Sequence, residues 1–170
     1  LGKAADMARL EMRERGGHSL SEAVAGRLLR SLLNWDEARA ADAWMEMLDS
    51  FDIQTAFQRV VIPVLKDVGD GWHAGAVSIG QEHFATNFVR ARLDLLGRQA
   101  TPREDAPSVL FACLQGEQHE MGILMLSVMA RLAGLRTIYL GRDVPDEALV
   151  RTVEDSQPNV IAVNAGSAEA

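Results

Sequence analysis

Ser108-Val-Leu-Phe-Ala-Cys-Leu114, then Gln115-Gly116, then Glu117-Gln-His-Glu-Met-Gly122 is the stretch on which the reading of the chain turns. The first seven residues form a short apolar run rich in β-formers, which reads as a buried parallel strand. Gln115-Gly116 breaks it. From His119 the apolar positions Met121, Leu124, Met125, Val128, Met129 and Leu132 recur at helical spacing, and Gly134 supplies a stop. Arg136 to Leu140 reads as a second strand, Asp146 to Ser156 as a second crossover helix, and Asn159 to Val163 as a third strand. Glu117 and His119 then lie at the carboxyl end of the first strand, where open α/β sheets bind ligands.

An imidazole two residues from a carboxylate suits a metal ligand. One ring nitrogen coordinates while the other donates to Glu117, which fixes the tautomer. Taken alone, the same pair is also compatible with an ordinary solvated histidine. Gly122, one turn along, lets a bulky planar group approach the helix backbone. Cys113, the only cysteine, sits mid-strand and reads as a small buried hydrophobe.

Upstream of this unit the chain is helical. Leu1 to Arg15 reads as a short helix ended by Gly16-Gly17, either a linker or the remnant of a preceding domain. Ser21 is placed to cap a helix carrying Val24, Leu28, Leu29, Leu32 and Leu33. Trp35 to Leu48 follows, with Trp44, Met45 and Leu48 on one side. Ser50 or Asp52 caps a third helix, which Pro63 should kink and Gly69 and Gly71 should end. A fourth runs from about Ser78 to Gly97. Four amphipathic helices with short connections predict an antiparallel bundle over residues 18–98. Residues 99–107, polar and with two prolines, read as a linker to a sheet domain over 108–170.

Between the third and fourth helices lies a second constellation. Trp72, flanked by glycine and His73, is expected at a turn, and Glu82 and His83 open the next helix. A flat aromatic, a carboxylate and two imidazoles suit a purine nucleoside: the indole stacks, and the polar groups bond ribose hydroxyls and the amine. His18 reads as a solvated loop histidine.

Composition bounds the rest. Hydrophobic residues make up 48% and charged residues 24% of 170, enough for packed cores. A net charge of −7 has the wrong sign for a chain that grips phosphate backbones by itself. No run approaches the length of a membrane span and nothing reads as a signal peptide, so a cytoplasmic protein with no membrane contact is expected. There is no nucleophile–base pair, phosphate loop or acid–base carboxylate pair, which predicts a binding module and not an enzyme. Both ends read as cut, and three strands make a thin sheet.

Glu117-x-His119-x-x-Gly122 resembles the cobalamin-binding signature Asp-x-His-x-x-Gly, with Glu in the acidic place. Trp72-x9-Glu82-His83 resembles the motif of the CarH/LitR-type light-sensing regulators, which use adenosylcobalamin; the resemblance covers roughly Ser19 to Ala170, helical bundle and cobalamin domain together. The resemblance implies a four-helix bundle followed by a Rossmann-like (flavodoxin-like) cobalamin-binding domain, truncated at its C-terminus. It makes His119 the lower cobalt ligand, Trp72 the cover of the adenosyl group, Glu82 and His83 its holders, and His73 an upper ligand after photolysis. Leu140 to Pro145 is similar to the loop beneath the corrin ring, which implicates Gly141, Asp143 and Val144. Asn164, with Ser167 just beyond, stands where the family carries a serine. The resemblance also implies a homo-oligomer that meets DNA through a MerR-type domain outside this chain. The wording of residues 1–10 faintly resembles the end of such a domain. A corrinoid methyl-carrier subunit is the alternative, and a cobalamin-binding antirepressor acting through protein contact would look much the same.

Overall fold

The structure is a computed structural model that describes the backbone of residues 2–166 and side chains from residue 19 onward. Ser167 and the side chain of His18 lie outside the described residues. The chain divides into two compact units, Leu1–Val89 and Arg90–Ala170.

The first unit is helical. Helix α1 runs from Gly2 to Leu33 without a break, so neither Gly16-Gly17 nor Ser21 marks a boundary. Each glycine costs a helix only about 1 kcal/mol relative to alanine, which weakens it without stopping it. Ser21 is buried inside the helix, and the backbone of His18 is helical, not looped. Helix α2 (Glu37–Ser50) starts at Asp36, whose carboxylate accepts from the Arg39 N–H at 3.1 Å. Trp44 and Met47 are its buried side, while Met45 points to solvent, against expectation. Asp52, not Ser50, caps the next helix, accepting from the N–H and hydroxyl of Thr55 at 3.0 and 2.7 Å.

That helix is built in three pieces: α3 (Ile53–Ala56), a π-helical turn (Phe57–Val61) and α4 (Ile62–His73). Pro63 lies at the start of α4, directly after the widened turn. The π turn accommodates the proline ring and its missing N–H. Helix α4 also passes through Gly69 and Gly71 and stops only at Ala74, ahead of Gly75 at φ 73°. Trp72 and His73 are therefore in its last turn, not in a loop. Helix α5 (Ile79–Gln99) completes the bundle. Val24, Leu28, Leu32, Met47, Phe57, Val60, Val64 and Val68 are fully buried in the core, and Trp44 meets Phe88 of α5 edge-on at 6.3 Å.

The second unit is a parallel sheet of β1 (Ser108–Leu114), β2 (Arg136–Val144) and β3 (Val160–Asn164), in the order β2-β1-β3. Helix α6 (Met121–Leu132) connects β1 to β2, and α7 (Asp146–Ser156) connects β2 to β3. Strand β1 alternates cleanly: Val109, Phe111 and Cys113 pack with Ile123 of α6, while Leu110 and Ala112 pack with Leu149 and Val153 of α7. Helices cover both faces, which is why β1 reads as one apolar run. Among the described residues no helix is long and apolar enough to cross a membrane.

The segment Leu140–Pro145 is not a free loop. Strand β2 continues to Val144, but its register against β1 slips after Phe111 and again after Ala112. Gly141 at φ 86° and Asp143 at φ 52° make these bulges. Because β2 and β3 flank β1 on opposite sides, the chain reverses direction across the sheet at β1. The crevice between the carboxyl ends of β1 and β3 is the place such a sheet offers a ligand.

Candidate functional site

Four bonds shape the turn after β1. Glu117 N–H donates to Leu114 O at 2.9 Å, and Asp143 N–H donates to Glu117 O at 3.1 Å. Asp143 Oδ1 accepts from Gly116 N–H at 2.8 Å, so the second β2 bulge clamps the turn. Asn164, at the end of β3, donates from Nδ2 to His119 O at 2.8 Å across the crevice.

Within this frame Glu117 is buried and His119 is not. The Glu117 side chain keeps 7% of its exposure, the His119 ring 94%. Glu117 Oε1 accepts from the backbone N–H of His119 at 2.6 Å and lies 2.8 Å from its Nδ1. A carboxylate there accepts, so Nδ1 carries the proton and Nε2 keeps its lone pair for solvent or a metal. The His119 backbone hydrogen bond, with help from the ring, holds the Glu117 carboxyl below its ordinary range against the opposing effect of burial. Cys113 is buried, and burial pushes its thiol up, as befits a packing residue.

Gly122 opens onto empty space: a Cβ there would meet nothing within 4 Å. Gly166 is the opposite case, because a Cβ there would collide with the Glu117 carboxylate. Gly141 and Asp143 serve the bulges, and Val144 is packed with Leu110 and Ala112 in the core. Its side chain is therefore part of the interior.

The second constellation lies in the helical unit. His73 Nδ1 donates to Gly69 O at 2.8 Å, leaving its Nε2 free. The rings of Trp72 and His73 meet edge-on with centroids 4.7 Å apart, and the indole is 43% exposed, which is unusual for a packing tryptophan. Helix α5 is opened by a reciprocal cap: Ser78 N–H donates to Gln81 Oε1 at 2.9 Å, and Gln81 N–H to Ser78 Oγ at 3.3 Å. This places Glu82 in the first turn and His83 directly after it. His83 Nδ1 bonds Glu82 Oε2, and Glu82 Oε1 accepts from Thr86 Oγ1 at 2.9 Å.

Sequence reading missed the supports behind these groups. Gln81 Nε2 donates to Leu33 O at 2.7 Å, and Trp35, at φ 60°, meets Phe84 with the rings tilted at 53° and centroids 5.3 Å apart, over Gly80. The end of α1 is thereby fastened to the start of α5. Glu120 was missed too: it follows His119 but is buried against Arg90 and Tyr139. Its place in Glu117–Gly122 was the one available signal, and an acid at a helix N-cap ordinarily caps the helix or faces water.

An exposed imidazole with its proton held on the far nitrogen, an open glycine beside it and a turn clamped from three sides fit a planar metal complex that takes one protein ligand. B12 binding domain families match residues 24–96 and 107–169. The HTH-type transcriptional repressor CarH of Myxococcus xanthus is 35% identical over 81% of this chain and 46% of its own length. Trimethylamine corrinoid protein 2 of Methanosarcina mazei is 23% identical over 85% of this chain and 68% of its own. The monomethylamine corrinoid protein of Methanosarcina barkeri shares the fold, with a TM-score of 0.66 over 85% of this chain and 70% of that one, at 17% identity. The chain thus spans less than half the length of the repressor it resembles. Two matches that together take in both the helical bundle and the sheet leave one conclusion: the chain belongs to the B12-binding domain family of cobalamin-binding proteins.

Proposed function

We propose that the chain is the sensor module of a light-responsive transcriptional regulator with adenosylcobalamin as its chromophore. The observation that carries this reading is the pairing of Trp72-x9-Glu82-His83 with Glu117-x-His119-x-x-Gly122 in one chain. The similarity to a helix-turn-helix repressor supports it.

In this reading His119 Nε2 is the lower cobalt ligand, and Glu117 keeps the ring in the coordinating tautomer. The half-exposed indole of Trp72 covers the adenosyl group, and Glu82 and His83 bond its ribose and amine. His73, its Nδ1 tied to Gly69 O, keeps Nε2 available as the upper ligand once the adenosyl has gone. Bound adenosylcobalamin supplies a cobalt–carbon bond that visible light breaks. What the protein does is choose between arrangements: the ligand-filled state holds Trp72 and the surface around it in one form, and loss of the adenosyl group releases it. A change in homo-oligomer follows, and DNA is met through a domain other than these two. Chemistry at a substrate is not part of the reading, and the protein acts in the cytoplasm.

A second reading, a corrinoid methyl carrier, draws on the similarity to the trimethylamine corrinoid protein. There the cofactor does the chemistry and the protein orients it. A methyl group has no need of Trp72, Glu82 and His83.

The deciding experiment is an absorption spectrum of the chain, and of a version extended past Ala170, desalted with adenosylcobalamin in the dark and then lit with green light. Retention in the dark, then a stable protein-held spectrum of the two-imidazole type, supports the sensor. Failure to retain adenosylcobalamin, with methylcobalamin or hydroxocobalamin retained, rejects it in favour of the carrier.

A further inference from the structure

Immediately after the exposed His119 the chain turns a carboxylate inward. Glu120 sits at the N-cap of α6 (φ −95°, ψ −11°), yet its side chain makes no capping bond. Its side chain is 6% exposed, and both oxygens are engaged: Oε1 accepts from Arg90 Nη1, and Oε2 accepts from Tyr139 Oη at 2.9 Å. The three residues come from α5, the β1–α6 turn and β2, and all lie in the second unit. Tyr139 sits in β2 directly before the first bulge. A Cβ built on Gly141 would lie 3.6 Å from Glu120 Oε2 and 3.9 Å from the tyrosine ring.

The Glu120 side chain is buried while that of Arg90 stays 40% exposed, so solvent screens the pair and desolvating the carboxylate offsets much of the attraction, leaving little net stability to gain. What such a pair does well is fix one arrangement among several. The arrangement at stake is the peptide between residues 119 and 120. His119 is held at its N–H by Glu117 and at its carbonyl by Asn164. Neither contact limits rotation on the α6 side of the turn. On that side the Glu120 carbonyl accepts from Leu124 N–H at 2.9 Å, and its buried side chain adds a tether at both oxygens.

We propose that Arg90, Glu120 and Tyr139 form a polar anchor whose role is to position the His119 imidazole, making all three positioning residues for the corrinoid site. This rests on His119 being the cobalt ligand. The anchor itself is a property of the ligand-free protein and can be tested there.

The test compares the parent chain with Glu120→Gln and Tyr139→Phe, variants that keep shape and ring. Three readouts are taken: amide hydrogen exchange of the ligand-free chain, the thermal unfolding midpoint, and the spectrum after loading with hydroxocobalamin. His119→Ala provides the spectrum without a histidine ligand. One neutral hydrogen bond contributes about 1 kcal/mol, so exchange at residues 118–121 should rise about fivefold in Tyr139→Phe. The rise should be larger in Glu120→Gln, where the bond lost is charge-assisted. Exchange in α2 and β1 should stay at parent values. The loaded variants should show a larger fraction of the His119→Ala-type spectrum than the parent.

Unchanged exchange at 118–121 in Glu120→Gln would overturn the anchor. So would a rise shared equally by α2 and β1 in step with a lower midpoint, since that is the mark of a stability role alone. A parent chain that binds hydroxocobalamin with the His119→Ala-type spectrum would instead reject His119 as the ligand. The exchange comparison would still decide whether the anchor holds the turn.

Discussion

Glu117 Oε1 meets His119 twice, at 2.6 Å from its backbone N and 2.8 Å from its ring Nδ1. One buried oxygen thus fixes both the direction of the peptide and the tautomer of the ring, and the imidazole it orients stays almost fully in solvent. A histidine held this way pays its ordering entropy before any ligand arrives, which is how preorganisation raises affinity.

Glu117→Ala should therefore weaken hydroxocobalamin binding without removing the ligand itself. Partners behind a metal-bound histidine are typically worth about 10–100-fold in affinity, and a loss in that range is expected. Equilibrium dialysis against the parent measures it. Binding within twofold of the parent would show that the ring needs no carboxylate.

Trp72→Ala separates the adenosyl form from the rest. Stacking of a base on an aromatic side chain contributes about 1–3 kcal/mol, so adenosylcobalamin should bind about tenfold or more weakly, with hydroxocobalamin unaffected. Parallel titrations in the dark give both values. Equal losses for the two cobalamins would remove Trp72 from the adenosyl site.

Gly71→Ala should destabilise the helical unit although Gly71 lies inside α4, where alanine is normally better by about 1 kcal/mol. A Cβ at this position would come 2.6 Å from Cγ2 of the buried Val77. Forced overpacking of this kind costs about 1–3 kcal/mol, so the net change should be a loss, visible as a lower thermal midpoint. Trp72 is the next residue, and its fluorescence should shift in the same variant. A midpoint above the parent's would mean that Val77 yields freely.

Tyr139 is the only tyrosine, which makes an alkaline absorbance titration clean. Burial raises its phenol from an ordinary 10.0 to about 12, although the charge of Arg90 acts the other way. With the folded value above the unfolded one, the native state holds a proton that the unfolded chain releases. This contribution to stability is complete below pH 10 and is lost as pH rises towards about 12. Ionisation near 10 in the folded chain would mean that the phenol is not buried.

Much of this was legible in the residues. The apolar run 108–114, the helical period from Met121 and the strand after Gly134 follow from simple spacing, and all three elements are present. Glu117, His119, Trp72, Glu82 and His83 stand out because a polar or flat group sits where a sheet or helix ends. Periodicity was less informative wherever glycine or proline interrupts it. Gly16, Gly17, Gly69 and Gly71 read as stops, yet helices pass through each of them, and Pro63 is absorbed by a π turn. The β2 bulges at Gly141 and Asp143 leave no spacing signal, because slipped register exists only between strands.

By itself, the order of residues determined which segments are helix or strand and the family to which the chain belongs. These depend on neighbours a few positions apart. The tertiary structure alone decided that Glu120 turns inward while His119 stays out, that Asn164 reaches across to the His119 carbonyl, and that Gly71 and Gly166 face groups leaving no room for a Cβ. Each of these contacts joins residues distant in sequence or faces set by the local backbone. Their geometry is fixed by packing and hydrogen bonding among whole elements, and no local pattern encodes it.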